Sequence, residues 1–291
     1  MITLLYRAIA KLSRRFGLWI LRLIGAIVAA AYYLLFPRRT GHSVRFYHAL
    51  FPERSRLSAF WCAWRQYQDF ARVYSERLEI DRRTDVRFDR EGEEYLGQAH
   101  ADGRGAILLM SHFGRWEIGA RLLARRQAGL TLVMGGQEAG GARAGVDRDL
   151  RSAGVGVVTI PEGRGQPLDI FQAVQVLRKG GIVSLAADRA WGDARVLRLP
   201  FLGHTVAVAA APFALALVSG APLLVVFALR IGPRHYRFVS DPPVTLAASD
   251  RSDRQAVLVK AAAAYLQRLQ AMVKAYPEQW QNFGRFLGKA E

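Results

Sequence analysis

The chain has 291 residues, 51% of them apolar, and a formal net charge of +17; this length allows one large domain, or one domain with an appendage. A chain with this much positive charge is expected to bind an anionic partner, either a membrane surface or an acidic carrier protein. Nucleic acid is not expected, because the sequence has no helix-turn-helix, zinc-finger or RNA-binding signature. The single cysteine, Cys62, excludes an intramolecular disulfide and is predicted to be a packed core residue.

The apolar run from Phe16 to Phe36 is interrupted only by Arg22 and, at about 20 residues, is long enough to cross the hydrocarbon core of a membrane. Basic residues flank it on both sides: Arg7, Lys11, Arg14 and Arg15 before it, and Arg38, Arg39 and Arg45 after it. Positive charge on both sides does not indicate an orientation in the membrane. The run is therefore predicted either to lie in the membrane interface or to span the membrane. A signal peptide, with small residues at 28–31, is a third alternative, which the charge of Arg22 disfavours.

Three regions are predicted along the chain: a membrane anchor or interfacial helix at 1–40, a helical region at 41–85 that belongs to the domain after it, and an α/β core at 86–291. The residues at 43–80 interleave aromatic side chains with arginines. This pattern indicates either a core-facing aromatic stripe or a continuation of the membrane-facing surface.

Strands and helices alternate from about residue 86, which predicts an α/β fold with a mostly parallel central sheet flanked by helices, following an N-terminal membrane-anchoring helix. Strands are predicted at 105–110, 130–134, 156–160, 181–187, 222–230 and 235–240. Helices are predicted at 114–127, 168–179, 207–219 and 252–275.

His112 and Glu117 form the most informative pair in the sequence. Within one helix, side chains five positions apart would point about 140° away from each other. The apolar run at 105–110 predicts a strand, however, and the apolar spacing after residue 115 predicts a helix. His112 is therefore expected at a strand-to-helix junction, where open α/β sheets place their chemistry.

Several common kinds of site are excluded by their missing motifs. The chain has no G-x-S-x-G elbow, no Walker A run, no G-x-G-x-x-G after a strand, no H-E-x-x-H and no C-x-x-C. Its six histidines are scattered, so neither a metal nor a cofactor is expected.

A histidine and carboxylates remain as the reactive groups. His112 suits general-base work because an unperturbed imidazole has a pKa of about 6.5; the alternative is a polar strand end bonded to a loop carbonyl. Glu117 also has an alternative role, as an acid at the third position of a helix capped by Gly114, where the helix dipole favours it.

Four segments resemble the bacterial lipid A biosynthesis acyltransferases of the lauroyl/myristoyl type, within the lysophospholipid acyltransferase superfamily. Ser111-His-Phe-Gly-Arg-Trp-Glu117 is similar to the H-x4-D/E motif of that family. The other three are the segment from Leu177 to Arg189, the segment Arg198-Leu-Pro-Phe-Leu-Gly203, and Tyr276-Pro-Glu-Gln-Trp280. With the apolar N-terminus, the resemblance spans essentially the whole chain.

The resemblance implies transfer of a fatty acyl chain from an acyl thioester, on acyl carrier protein or coenzyme A, to a hydroxyl of a lipid or glycolipid. It implies that the reaction takes place at the cytoplasmic face of the bacterial inner membrane. His112 would be the general base, and either Glu117 or Asp188 would orient it. The candidates for binding the oxyanion or the acceptor are Arg189, Arg115 and the backbone amides near Phe113 and Gly114.

The tail Trp280-Gln-Asn-Phe-Gly-Arg-Phe286 departs from the aromatic–His–Arg tail common in lipid A enzymes. It resembles a branch that acts in other glycolipid or aryl-polyene-type pathways, so the acceptor stays open. Two other functions also stay open: a non-catalytic lipid-binding or scaffold protein that keeps the fold, and a module that docks an acidic acyl carrier protein.

Overall fold

A seven-stranded sheet forms the centre of the computed structural model, which describes residues 18–80, 85–101, 103–126, 129–135, 150–160, 167–189 and 195–288. The helices are α1 Leu18–Leu35, α2 Pro37–Leu50, α3 Arg56–Ile80, α4 Glu93–Ala101, α5 Trp116–Arg126, α6 Pro167–Arg178, α7 Ala211–Ser219 and α8 Arg254–Ala275, followed by a 3-10 turn at Pro277–Gln279. The strands are β1 Arg87–Glu91, β2 Ala106–Met110, β3 Leu130–Gly135, β4 Gly156–Ile160, β5 Ile182–Ala186, β6 Val196–Phe201, β7 His204–Ala209, β8 Leu223–Gly232 and β9 His235–Ser240.

The strand order in the main sheet is β1-β9-β8-β2-β5-β3-β4. All neighbours in it are parallel except β8 and β9, which form an antiparallel hairpin. The predicted α/β fold with a mostly parallel sheet flanked by helices is therefore confirmed. Strand β1 and helix α4, which the sequence analysis did not predict, add to the β9 edge of this sheet.

Strand β2 lies in the middle of the sheet and is buried on both faces, as its uninterrupted apolar sequence predicts. Ile107 and Leu109 point into one core cluster, while Ala106 and Leu108 point into the other. Its register with β5 places Met110 beside Ala186. Residues that follow these two strand ends consequently meet at the carboxyl edge of the sheet, where parallel α/β sheets form their binding crevices.

The predicted helix at 207–219 is only partly correct, because its first residues belong to an antiparallel hairpin of β6 and β7. The turn of that hairpin is Leu202-Gly203, and both residues have positive φ, at 52° and 70°. Two consecutive left-handed residues are typical of the tight turn whose twist matches a β-hairpin. Helix α7 begins only at Ala211.

The predicted helical region before the sheet consists of two helices, α2 and α3, separated by a break that contains Pro52. The aromatic stripe has two surroundings: Phe46, Tyr47 and Tyr67 are buried, whereas Phe60 and Trp61 are exposed. Cys62 packs against the core while remaining partly exposed. The core-facing interpretation therefore applies to the buried part of the stripe, and the membrane-facing interpretation of the exposed part stays a prediction.

Helix α1 packs along α3 and exposes many large apolar side chains. We call this surface, with the start of α3, the apolar N-terminal face; its members are Trp19, Leu23, Ile27, Val28, Leu34, Leu35, Phe36, Leu57, Phe60 and Trp61. Among the described residues no single helix has the length and hydropathy of a membrane span, and α1 meets that criterion only together with α2, from which a 92° bend separates it. The membrane anchor therefore stays a prediction.

Candidate active site

His112 lies in the connection between β2, which ends at Met110, and α5, which begins at Trp116. Gly114 turns the chain there with a φ of +66°. A Cβ on Gly114 would lie 2.1 Å from the carbonyl oxygen of Ala228, so the connection requires glycine both for its backbone conformation and for its close approach to β8. This tight turn fixes where the histidine stands relative to the sheet.

His112 and Asp188 form the central pair of the site. The Nδ1 atom of His112 is 2.8 Å from Oδ1 of Asp188, and the backbone N–H of His112 donates to Oδ2 at 3.0 Å. Asp188 follows β5 by two residues, as His112 follows β2, so the register of the two strands brings the residues together. A carboxylate against Nδ1 places the ring proton there and leaves the lone pair on Nε2, the arrangement that a general base requires.

The carboxyl group of Asp188 is completely buried. Burial raises the pKa of this carboxyl, but the charge and hydrogen bond of His112, the charge of Arg189 and the indole N–H of Trp280 together lower it further, so the pKa of Asp188 lies below its ordinary value. Asp188 is accordingly an anion in the folded protein at neutral pH. A buried anion beside the ring stabilises the imidazolium that forms when His112 takes up a proton.

The C-terminal segment Gln279–Gln281 is bonded directly to the connection that carries His112. The backbone N–H of Gln281 donates to the carbonyl of His112 at 2.7 Å, and its side-chain amide donates to the carbonyl of Gly114 at 2.7 Å. In return, the N–H of Gly114 donates to the carbonyl of Gln279 at 2.8 Å. Asp188 therefore holds the ring and the backbone N–H of His112, and this segment holds its backbone carbonyl.

The backbone amides that the sequence analysis considered for an oxyanion hole are already engaged. The N–H of Phe113 donates to the carbonyl of Ser111 at 2.7 Å, and that of Gly114 is used by Gln279. Helix α5 also begins two residues after Gly114, so Gly114 is not its N-cap. We therefore assign Gly114 to the turn and not to oxyanion binding.

Arg115 has a different role from the predicted one of binding the oxyanion or acceptor. Its guanidinium is completely buried and bonds Asp69 through two nitrogens, at 2.9 and 3.0 Å, and Glu76 at 2.6 Å. Burial lowers the pKa of Arg115, but the two carboxylates raise it more, so the arginine stays charged. Glu76 also pairs with Arg230 of β8 at 2.8 Å. Arg115 thus ties α3 to the histidine connection.

Asp69 and Glu76 were not identified from the sequence as part of the site. Their spacing carries a signal, because residues 69 and 76 lie two turns apart on one face of a helix. Gln66 lies on the same face and donates to the carbonyl of Trp280 at 2.6 Å. Three polar residues on the buried face of an aromatic helix indicate a buried polar partner.

The remaining predicted residues are Glu117 and Arg189. Glu117 is in the first turn of α5 and is partly exposed. Arg189 directly follows Asp188, is partly buried, and donates to the carbonyl oxygen of Gln281. Their proposed roles in the reaction stay predictions.

An apolar pocket lies between α5 and the sheet, next to the histidine connection. Its walls include Met110, Phe113, Trp116, Leu123 and Phe238. Over the described ranges, no group of three or more His, Cys, Asp or Glu side chains is arranged to hold a metal ion.

Comparison with family models matches residues 2–287 to the bacterial lipid A biosynthesis acyltransferases. The chain belongs to this family. The match covers nearly the whole chain, so the four segments noted in the sequence lie inside one family alignment, and the resemblance is confirmed. The activity of the family is acyl transfer in lipid A biosynthesis. A search of curated proteins found no match.

The ion pairs of Arg115 predict a large effect on stability. Replacing Arg115→Met leaves two buried carboxylates without a cation, and the free energy of unfolding should fall by about 3–5 kcal/mol. The matched control is Arg65→Met, which removes an exposed ion pair to Glu278 with a 3.3 Å separation and should cost at most about 1 kcal/mol. Thermal and denaturant unfolding of the two variants measures the difference, and equal losses would refute a structural role specific to Arg115.

Proposed function

We propose that this acyltransferase transfers a fatty acyl chain from an acyl carrier protein thioester to a hydroxyl group of a lipid or glycolipid. In this reaction His112 is the general base and Asp188 orients it. The observation that carries the proposal is the 2.8 Å contact between Nδ1 of His112 and the buried carboxylate of Asp188, in a chain that belongs to an acyltransferase family.

The chemistry needs no nucleophile from the protein. Nε2 of His112 takes the proton of the acceptor hydroxyl while that oxygen attacks the thioester carbonyl carbon. The tetrahedral oxyanion then collapses, the C–S bond breaks, and the thiolate leaves and is protonated by the imidazolium. A thiol has a pKa of about 8.5, so its thiolate is a good leaving group and the base is the group that matters most. Arg189 is our candidate for stabilising the oxyanion.

Acyl carrier protein is proposed as the donor because of charge. The chain carries a net charge of +17, and acyl carrier proteins are acidic, so long-range attraction would speed their encounter.

Membrane binding at the cytoplasmic face of the bacterial inner membrane is proposed from the apolar N-terminal face. Trp19 on α1 and Leu57 and Trp61 on α3 are all more than half exposed, at 60, 75 and 66%. Several large apolar side chains exposed together are unusual for a soluble protein, and the neighbouring exposed arginines Arg38, Arg39 and Arg56 would meet anionic lipid headgroups. In this proposal α1 lies in the interface with the start of α3.

Removing the base tests the catalytic assignment. His112→Ala should lower kcat by about two to four orders of magnitude, with the folded structure retained. Asp188→Asn should lower kcat by a comparable factor, because an amide at this position favours the wrong tautomer of the ring. Glu117→Gln is the comparator and should cost less, since Asp188 holds Nδ1. Acyl transfer by purified protein to an acceptor lipid measures all three.

Two outcomes would contradict this assignment. Unchanged turnover in His112→Ala would favour the alternative of a non-catalytic lipid-binding protein. A larger loss in Glu117→Gln than in Asp188→Asn would transfer the orienting role to Glu117.

Charge on the apolar N-terminal face should weaken lipid binding. The double variant Leu57→Glu with Trp61→Glu should lower the fraction of protein bound to anionic vesicles about tenfold or more, since two large apolar side chains no longer leave water. The matched control is Val218→Glu with Val244→Glu, which changes two exposed apolar residues elsewhere. Vesicle sedimentation should show a loss only in the first variant; equal binding by both would exclude this face as the anchor.

The salt dependence of kcat/KM should distinguish acyl carrier protein from other thioester donors. Raising NaCl from about 0.05 to about 0.5 M should lower kcat/KM for acyl carrier protein by about tenfold or more, because screening weakens attraction between exposed charges. Acyl-pantetheine, a neutral thioester, is the control and should change little. If acyl coenzyme A is used as well as acyl carrier protein and responds to salt in the same way, the carrier protein is not the preferred donor.

A further inference from the structure

Among the described residues, Trp280 has the largest of the almost completely buried side chains, and its indole N–H points at Asp188. Its Nε1–H donates to Oδ2 of Asp188 at 3.0 Å, the same oxygen that accepts the backbone N–H of His112. The other oxygen, Oδ1, faces the imidazole. With Oδ2 held by two donors, the carboxylate cannot rotate away from the ring without losing both bonds.

We propose that Trp280 is a positioning residue of the active site: its indole N–H fixes the carboxylate of Asp188 in the orientation that holds His112. This inference rests on the proposed function for its catalytic consequence. It gives the closing Pro-Glu-Gln-Trp segment a role in the active site, since Trp280 belongs to that segment. Trp280 is the third residue of a hydrogen-bonded chain that runs from its indole through Asp188 to His112.

The indole ring is itself locked from several directions. Its centroid lies 4.5 Å from that of Phe46 on α2 and 4.9 Å from that of Phe286, the latter ring standing at 89° to it. The carbonyl of Trp280 accepts the side-chain amide of Gln66, and its backbone forms an antiparallel bridge with Phe113. A ring held in this way presents its N–H at one place only, as positioning requires.

The next residue holds the other side of the histidine. Trp280 is extended, with φ of −83° and ψ of 112°, so its side chain and that of Gln281 point in opposite directions. Gln281 bonds the carbonyls of His112 and Gly114. Two consecutive residues thus fix the carboxylate partner and the backbone of His112 separately.

The charged and titratable groups that face Asp188 give the expected direction of a pH effect. They are His112, Arg189 and the phenol of Tyr265 on α8, whose pKa is raised well above its ordinary value by burial and then by the charge of Asp188. The indole N–H directs positive charge toward the carboxylate and the ring beyond it. Removing this N–H stabilises the imidazolium of His112, because less positive charge faces the carboxylate. The ring then becomes the neutral base only at a higher pH.

The sharpest test replaces the indole of Trp280 by benzothiophene through site-specific incorporation, because this ring keeps the shape and loses the N–H. Trp280→Phe is the simpler variant. Both should lower kcat about tenfold to hundredfold with KM within about twofold, as expected for one lost hydrogen bond to a charged group. The acid limb of the kcat/KM profile should move to higher pH. The matched control is benzothiophene in place of Trp64, whose ring packs edge-on against Tyr33 with centroids 5.4 Å apart; it should leave kcat and the pH profile unchanged.

An unchanged kcat and pH profile in the benzothiophene protein would overturn the proposal. An equal loss and an equal shift of the profile in the Trp64 variant would show that the effect is not specific to the bond with Asp188 and would overturn it too. Should Trp280→Phe fail to fold, the benzothiophene protein decides.

A readout that does not need turnover separates this inference from the proposed function. In protein labelled on histidine, NMR follows the ring titration of His112, identified by its loss in His112→Ala. An upward move of its midpoint in the benzothiophene protein supports the positioning role even if acyl transfer is not found; an unmoved midpoint refutes it. An active His112→Ala variant refutes the proposed function instead.

Discussion

A carboxylate without access to water must receive hydrogen bonds from the protein itself, and Asp188 imposes this requirement on the site. Three donors meet it: the backbone and ring of His112 and the indole of Trp280. They come from the end of β2 and from the segment after α8, while Asp188 follows β5. The burial of one anion therefore determines the relative positions of three parts of the chain. The same burial makes the anion effective, because no water competes for its charge.

A second buried charge supports the connection that carries His112. Arg115 immediately follows the turn at Gly114, and its pairs with Asp69 and Glu76 attach that turn to α3. Gln66, on the same helix, bonds the backbone of Trp280. Helix α3 consequently contacts both the connection that carries His112 and the segment that carries the indole. Its exposed beginning belongs to the apolar N-terminal face, so one helix joins the surface proposed for lipid to the proposed catalytic residues.

The sequence predicted the parts of the site that depend on local pattern. His112 was placed at a strand end because an apolar run and a helical spacing meet there, and Asp188 because a second apolar run precedes it. It did not predict which groups the backbone amides and Arg115 would bond, because their partners lie far away in sequence: Gly114 meets Gln279, and Arg115 meets Asp69. The β6–β7 hairpin was missed for a local reason, since small apolar residues before α7 suit a helix as well as a strand.

The sequence separations between the residues of the site have a consequence for how the site assembles during folding. Asp188 is 76 residues from His112 and 92 from Trp280, and Gln281 bonds Gly114 across 167 residues. Closing loops of such length costs entropy that only many simultaneous contacts repay. A chain that has formed its sheet but not docked the segment after α8 still has to keep the Asp188 carboxylate hydrated. The arrangement around Asp188 is thus complete only when this segment has docked against the connection that carries His112.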